Sequence, residues 1–480
     1  MRSAAVAALA IAAWPAAARQ DALSRRVASV EQGLLPLVRV AGRETRFELR
    51  ERMAHYRVPG VSLAVITGSR VEWARGYGVL EAGTSEPVAR ETLFQAASLS
   101  KPVAALAVLR EAHRGTLPLD APVNRLLRTW KLPDTPHTVG RPVTVRHLLS
   151  HTGGIGVHGF PGYAPSESLP LLRDVLDGSA LSNTPAIRSV QPPGEGFRYS
   201  GGGYQILQQL LEDVTGRPFP ELVRERVLDP LGMEQSRFEH PLGPAHAPRA
   251  ARGHDATGRR LPGGWNVYPE LAAAGLWTTA GDLARFVAGL QAALHRTTGA
   301  SLPEALAREM VTPVGGPAGL GLFVEGEGAE RRFRHGGSNQ GYRCALVGYV
   351  QGGHGAVVMT NGDGGEALGR EILYGIAAVY GWPGFLPAEK VATTLDPGLL
   401  ASYAGRYEMG PHRALDVEVE GDHLVVAQPG SAPLQLWPEA RARFFAETVP
   451  LEVRFEVRDG SVIGLTLAQD GEEIQALRLP

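Results

Sequence analysis

The 480-residue chain is poor in three features: it has one cysteine, few aromatic residues (7%) and a formal net charge of only −1. A single cysteine excludes an internal disulfide framework, and Cys344 is expected to be a small buried hydrophobe. The balanced charge gives no indication of nucleic-acid binding, which requires a basic surface. With 44% hydrophobic residues, the composition is that of a soluble folded protein of about three domains.

Long apolar runs are also scarce. The only one is at the start, where residues 1–18, MRSAAVAALAIAAWPAAA, combine a basic residue, a short apolar stretch and an alanine-rich end. This pattern is typical of a secretory signal peptide and predicts an exported protein, periplasmic or extracellular. The alternative is a disordered or incorrectly assigned start. No later segment is long and apolar enough to span a bilayer.

Ser98 and Lys101 stand where QAASLSKPVAALAVLREAHRG turns from small residues into an apolar run of helical period. Residues at i and i+3 of a helix share one face, so the Lys101 ammonium can hydrogen-bond the Ser98 hydroxyl. A hydroxyl becomes a good nucleophile only when a neighbouring group removes its proton. Free N–H groups at a helix start also favour an oxyanion. The pair indicates either an acylatable serine with its own base or an ordinary exposed helix start.

Two distant segments support the catalytic alternative. Tyr199 lies in a Gly-rich stretch before an amphipathic helix, where a phenol can face a cleft and relay a proton. His335-Gly336-Gly337-Ser338 lies between a short strand-like stretch and a longer candidate strand, and its glycines allow the backbone to approach a substrate closely. Taken singly, Tyr199 fits a packed aromatic and His335 an ordinary loop histidine.

In this order, Ser98-x-x-Lys101, Tyr199-Ser200-Gly201 and His335-Gly336-Gly337 resemble the motifs of the serine β-lactamase and penicillin-binding protein superfamily, in its class C-like branch. The resemblance covers roughly residues 45–385. Further segments that carry it are Val58-Pro59-Gly60-Val61, Thr92-Leu93-Phe94, RHLLSHTGG at 146–154 and Pro230-Leu231-Gly232-Met233.

The resemblance implies a role for each motif. Ser98 would attack an acyl donor, while Lys101 and Tyr199 would share the proton transfer as a pair. His335 would bind or polarise the substrate, and the N–H groups of Ser98 and Ser338 would form the oxyanion hole. Gly337 belongs to the same substrate and oxyanion side of the predicted site. No metal or organic cofactor is expected, and the partner is a small-molecule or peptide acyl donor.

Two residues depart from the family's pattern. Gly201 stands where many relatives carry an asparagine, so the amide that would bond a substrate carbonyl must be replaced by backbone, water or another residue. His335 replaces a lysine, and an imidazole is only partly charged near neutral pH. Capture of a substrate carboxylate should therefore be weaker. These departures favour an esterase or peptidase over an efficient β-lactamase, although substrates of all three kinds stay open.

The pattern along the chain predicts an α+β fold. An α/β sandwich sheet domain over residues 19–385, with a helical insertion at about 115–270, is followed by a linker (386–398) and a barrel-like, all-β domain (399–480). The alternation in LEVRFEVRDGSV and the turn at Asp459-Gly460 indicate hairpins in that last domain. Tyr403-Ala404-Gly405-Arg406-Tyr407 resembles the start of the lipocalin-like barrel appended to some family members. This barrel is expected to pack against the enzyme or shape its entrance.

Other candidates have weaker support. His147 and His151 are four residues apart, but Leu148 stands where a zinc-protease helix has its glutamate, so metal binding is not expected. Glu195, close to Tyr199 in sequence, could activate a water or simply be solvated. The prediction is a secreted serine hydrolase acylated on Ser98. A non-catalytic penicillin-binding or peptide-sensing protein is the alternative, and a third possibility makes the barrel the functional module.

Overall fold

The computed structural model describes residues 16–410, 413–428, 433–469 and 472–480. The predicted signal peptide, residues 1–18, lies outside the described residues except for its last three positions, which belong to the first helix. Among the described residues, no helix combines the length and the hydropathy that a membrane crossing requires.

The helices and strands follow in chain order. The α-helices of the described residues are α1 (Ala16–Glu31), α2 (Leu49–His55), α3 (Ser100–His113), α4 (Val123–Leu126), α5 (Val145–Leu149), α6 (Leu172–Asp177), α7 (Gly201–Thr215), α8 (Phe219–Val223), α9 (Leu271–Ala274), α10 (Ala280–Leu294), α11 (Glu304–Met310), α12 (Gly365–Tyr380) and α13 (Pro397–Ser402). The strands are β1 (Val38–Val40), β2 (Gly60–Thr67), β3 (Arg70–Gly78), β4 (Phe94–Gln95), β5 (Arg237–Phe238), β6 (Leu276–Thr278), β7 (Phe323–Glu325), β8 (Arg332–Asn339), β9 (Tyr342–Tyr349), β10 (Gly355–Thr360), β11 (Ala388–Lys390), β12 (Gly405–Gly410), β13 (Arg413–Glu420), β14 (His423–Ala427), β15 (Leu434–Ala440), β16 (Arg443–Ala446), β17 (Leu451–Arg458), β18 (Ser461–Gln469) and β19 (Glu472–Arg478).

An antiparallel six-stranded sheet in the order β3-β2-β10-β9-β8-β7 organises the larger domain. Strand β2 is apolar at nearly every position because both of its faces are covered. Val61, Leu63 and Val65 pack in one core cluster with residues of α1 and α12. Ala64 and Ile66 point into the other, larger cluster, which includes α3 and α10. The mixed helix and sheet class predicted from the sequence is confirmed.

The helical part of this domain packs on that larger cluster. Between residues 115 and 270 the chain forms α4 to α8 and the two-residue strand β5. Helix α3 runs through the centre of the cluster and is buried on all sides, as its almost uninterrupted apolar sequence requires. The site residues therefore start from a rigid, fully packed helix.

Strand β8 differs from its predicted extent. The sequence indicated a strand ending near His335, with the following glycines in a connection. The structure continues the strand to Asn339, so that His335, Gly336, Gly337 and Ser338 all pair with β9. Glycine weakens a strand on its own, but here pairing with β9 supplies the backbone partners that hold it extended.

The last domain is a closed antiparallel barrel of eight strands, β12 to β19, in which β12 pairs with both β13 and β19. Its interior is filled by alternate side chains, among them Tyr407, Leu415, Val453 and Phe455. The hairpin predicted at Asp459-Gly460 is confirmed, since these residues join β17 to β18. The barrel predicted from the alternating pattern is therefore present.

The barrel is docked against the N-terminal part of the larger domain. Strand β1 pairs in parallel with β11, which lies within the segment predicted as a linker. Val40 packs with Trp437 and Phe445 of the barrel, and the Arg43 guanidinium lies 3.9 Å from the centre of the Trp437 ring. These contacts make the connection an ordered part of the interface.

A buried ion pair joins α2 to α12. The Arg52 guanidinium donates two hydrogen bonds to the Glu371 carboxylate, at 2.7 and 2.8 Å. The Tyr56 hydroxyl donates to the same carboxylate at 2.8 Å. The Glu371 side chain is fully buried, so its charge depends on these partners.

We expect Glu371→Gln to lower the free energy of unfolding by about 3–5 kcal/mol, because it leaves the buried Arg52 charge without a counter-charge. Urea denaturation followed by far-UV circular dichroism measures this. The control is Glu366→Ala on the same helix, whose pair with Arg370 is long (3.6 Å) and exposed and should contribute nothing measurable. Equal losses in the two variants would contradict the assignment.

Candidate active site

The turn that carries Ser98 is held firmly in place. Ser98 lies in a short 3₁₀-helix that runs directly into α3. Ala97 before it has φ +50°, a strained conformation for a residue with a Cβ. The Ala96 N–H donates to the Leu276 carbonyl (2.8 Å), and the Leu276 N–H donates to the Ser100 hydroxyl (3.0 Å). These bonds tie the turn to β6, and Ser98 within it is half-buried.

Lys101 is only 2% exposed, yet its ammonium is hydrogen-bonded. It donates to Ser98 Oγ at 2.9 Å and to the Ala273 carbonyl at 2.8 Å. The first bond is the one predicted from the i, i+3 spacing, and it is confirmed. The same ammonium lies 5.0 Å from the centre of the Tyr199 ring. Serine hydroxyl, ammonium and phenol ring thus form one cluster.

Tyr199 is positioned by the start of α7. The next residue, Ser200, is the N-cap, and its hydroxyl accepts from the Gly203 N–H at 3.0 Å. The Ser200 N–H donates to Nδ1 of His151 at 3.1 Å. The His151 ring lies 4.4 Å from the Tyr199 ring, centre to centre. The cap and the imidazole together hold the phenol over the ammonium.

Strand β8 forms the opposite wall. It pairs with β9 along its whole length, but with β7 only at residues 332–334. In an antiparallel pair every second residue turns its N–H away from its partner strand. The stretch from His335 to Ser338 therefore presents backbone groups on the edge that β7 does not cover.

Gly337 brings that wall against the Ser98 turn. A Cβ placed on Gly337 would lie 2.4 Å from the Ala96 carbonyl oxygen, closer than any side chain permits. On Gly336, one residue earlier, the nearest atom to such a Cβ would be the Cys344 oxygen at 4.0 Å. Of these two glycines, only Gly337 is required by close backbone approach.

His335 is buried and uncharged at neutral pH. Its Nδ1 is 2.6 Å from the Gly336 carbonyl oxygen, which places the proton on Nδ1. Nε2 has no hydrogen-bond partner among the described residues. Burial, and then the nearby Lys101 ammonium, lower the pKa of His335 to about 3. The partly charged imidazole expected from the sequence is thus a neutral acceptor that cannot pair with a carboxylate.

The other candidates lie apart from this cluster. Glu195 is exposed and pairs with Arg141. His147 accepts from the Thr144 N–H at 3.3 Å and so caps its own helix rather than sharing a ligand with His151. No group of three or more potential metal ligands occurs in the part of the chain that the structure describes.

The sequence did not single out His158, whose ring centre is 4.9 Å from that of Tyr199. It lies in an irregular stretch with no hydrophobic period, so no pattern marked it. Phe323 was also missed as a site residue, although its ring is 5.1 Å from that of His335. Both were brought to the site by tertiary packing.

Comparison with known proteins covers both domains. The β-lactamase family matches residues 48–380, the part that contains Ser98, Lys101, Tyr199 and His335. A second family, described as a domain of unknown function (DUF3471), matches residues 389–478, which include the barrel.

Individual relatives extend this likeness. Penicillin-binding protein 4* of Bacillus subtilis is 26% identical over 86% of this chain and 93% of its own length. Esterase EstB of Burkholderia gladioli is 31% identical over 54% of this chain and 70% of its own length. The octameric penicillin-binding protein homologue from Pyrococcus abyssi superimposes with a TM-score of 0.61 at 24% identity, covering 89% of this chain and 98% of its own. This last likeness shows the fold.

The contact between β8 and the Ser98 turn predicts different outcomes for two neighbouring glycines. Gly337→Ala should push β8 away from Ala96 and lower the thermal stability. It should also slow the modification of Ser98 by a serine-directed phosphonate by up to about 10²-fold, because a displacement of reacting groups by about 1 Å has effects of that size. Gly336→Ala is the matched control and should resemble the wild type. Modification is followed by mass spectrometry, and similar rates in both variants would contradict the close approach.

The state of His335 predicts the sign of a pH effect. Its pKa is about 3 in the folded chain, while an unfolded histidine has a pKa of about 6.5. Between these values the unfolded chain binds a proton that the folded chain does not, so stability should fall as the pH falls from about 6.5 towards 3. Urea denaturation at pH 7.5 and 4.5 should show a smaller pH-dependent loss in His335→Gln than in the wild type. An equal loss would show that His335 does not titrate in this way.

Proposed function

The chain belongs to the β-lactamase family, and on that premise we propose that it is an exported serine hydrolase that forms an acyl-enzyme on Ser98. The observation that carries the proposal is the 2.9 Å hydrogen bond between Lys101 Nζ and Ser98 Oγ, made by a lysine that is almost completely buried. A buried ammonium is costly unless it is hydrogen-bonded. Its placement against a hydroxyl favours a reactive role for both groups.

In the proposed reaction, the Lys101 and Tyr199 pair acts in the form that has lost one proton, as a lysine amine or a tyrosine phenolate. Ser98 Oγ bonds to the acyl carbon as its proton passes to that pair. The carbonyl π bond opens, and the resulting oxyanion is stabilised by the N–H groups of Ser98 and Ser338. The bond to the leaving group then breaks, and the leaving group takes the proton back from the pair. Water repeats the sequence on the acyl-enzyme and releases the acid and free Ser98.

We infer that the preferred acyl donor carries no carboxylate beside the scissile bond. His335 is neutral in the cleft, so it offers no charge to a substrate carboxylate. An activated or short-chain ester meets this condition, whereas β-lactam antibiotics and D-amino-acid peptides carry a carboxylate. The similarity to an esterase supports the same order. Esters are therefore proposed first, with peptides and β-lactams as weaker substrates.

The proposal predicts turnover that depends on Ser98. The purified mature chain is incubated with short-chain activated esters, cephalosporins and D-Ala-D-Ala peptides, while product release and protein mass are both followed. Ser98→Ala should abolish turnover and the acyl adduct. Lys101→Ala should lower kcat by about 10²–10⁴-fold, the usual contribution of a positioned base.

The matched control is Lys131→Ala, because the Lys131 ammonium also donates to a carbonyl, that of Asn124, but at an exposed position. It should retain wild-type turnover.

A stoichiometric adduct on Ser98 without turnover would favour the non-catalytic penicillin-binding or peptide-sensing alternative. Equal hydrolysis by wild type and Ser98→Ala would overturn the acyl-enzyme proposal. The mass of the exported chain also tests the cleavage predicted after residue 18.

A further inference from the structure

Residues 156–160, which we name the strap, cross the start of α7 beside the Ser98 cluster. The strap is bonded to α7 through its carbonyl groups. The Gly156 carbonyl accepts from the Ser200 hydroxyl at 2.7 Å. The Val157 and His158 carbonyls accept from the N–H groups of Gly202 and Gly201, at 3.0 and 2.9 Å. Together these bonds fix the strap relative to Tyr199.

Val157, in the middle of the strap, is held in a strained conformation. Its φ is +60°, a conformation that a β-branched residue avoids. The hydrogen bonds accepted by the Gly156 and His158 carbonyls on either side hold the backbone in this conformation. The ring of the next residue, His158, lies 4.9 Å from the Tyr199 ring, centre to centre.

Phe160 fills the space over Gly201. A Cβ on Gly201 would lie 2.8 Å from Cε2 of the Phe160 ring and 3.1 Å from the His158 carbonyl oxygen. A longer side chain at position 201 would need the same space as the ring. The sequence left open what replaces an asparagine side chain at position 201. In the structure, the apolar ring of Phe160 lies there.

His158 is the least constrained imidazole around Tyr199. Nδ1 of His151 is bonded to the Ser200 N–H, and Nδ1 of His335 to the Gly336 carbonyl. His158 is exposed, and no hydrogen bond to its ring is found within the described ranges. Burial, Lys101 and Arg198 lower its pKa below the usual value. At neutral pH its ring therefore has one N–H and one lone pair available to a ligand.

We propose that the strap is the recognition element for the acyl donor, in which the Phe160 ring packs against an apolar acyl chain and the His158 imidazole hydrogen-bonds a polar atom of the donor. The inference rests on the proposed function and names its substrate class: uncharged esters with a short apolar acyl group. His158 and Phe160 bind and select the substrate, while Ser98, Lys101 and Tyr199 carry out the chemistry.

The proposed hydrogen bond between His158 and the acyl donor is tested with p-nitrophenyl esters at pH 7.5. His158→Ala should raise KM by about 3–10-fold, the effect of one lost hydrogen bond, with kcat within about twofold of the wild type. His158→Gln, which keeps a donor and an acceptor, should restore most of the KM. A structural role alone would lower kcat or stability and would not be rescued in this way.

The proposed packing of the acyl chain against Phe160 is tested with acetate, butyrate and hexanoate esters. Each buried methylene is worth about 0.8 kcal/mol, or about fourfold, so wild-type kcat/KM should rise with chain length and Phe160→Ala should flatten that rise. Phe385→Ala is the matched control, because Phe385 packs against Trp382 in the other core cluster. It should leave the chain-length dependence unchanged.

A double-variant cycle checks the contact with Gly201. Gly201→Ala alone should lower stability and ester turnover, whereas Gly201→Ala combined with Phe160→Ala should lose less than the sum of the two single changes. Additive losses would show that the ring does not occupy this space.

The two proposals fail in different ways. Ester hydrolysis that survives Ser98→Ala overturns the proposed function itself. Hydrolysis that requires Ser98, together with unchanged KM in His158→Ala and unchanged chain-length dependence in Phe160→Ala, overturns the strap proposal alone. Circular dichroism of each variant confirms that the fold is retained before kinetics are compared.

Discussion

The arrangement of the cleft depends on the buried ammonium of Lys101. A cation removed from water must find oxygen or aromatic partners, because the cost of leaving it unsatisfied is several kcal/mol. Its partners come from three separate parts of the chain: the Ser98 hydroxyl, the Ala273 carbonyl of α9 and the face of Tyr199 before α7. These parts must dock for the charge to be stable. Docking of these segments and assembly of the Ser98 cluster are therefore coupled.

Burial, and after it the Lys101 charge, determine the protonation state of the surrounding histidines. Burial and the Lys101 ammonium both lower the pKa of His151, His158 and His335. All three rings are therefore neutral at neutral pH, and they act through oriented N–H groups and lone pairs rather than through charge. His151 uses its lone pair to hold the α7 cap, while Nε2 of His335 is buried and has no hydrogen-bond partner among the described residues. None of these three imidazoles therefore adds positive charge beside Ser98.

The features of the fold and of the site that were predictable are local ones. The Ser98 and Lys101 bond follows from i, i+3 geometry on one helix, which short-range spacing specifies. The hairpin at Asp459-Gly460 follows from turn chemistry in the same way. The extent of β8 was predicted too short because Gly336 and Gly337 weaken any local strand pattern, and only pairing with β9 and contact with Ala96 hold them extended.

The sequence by itself determined the fold class, the hydrogen bond between Ser98 and Lys101, and the order of the three motifs, because these depend on residue type and on spacing along the chain. The tertiary structure decided which residues surround the serine. His158 lies beside Tyr199 and Phe160 beside Gly201 because the strap caps α7, and His335 is neutral because burial lowers its pKa. Those outcomes depend on contacts between segments far apart in sequence and on the exclusion of water, which no local pattern encodes.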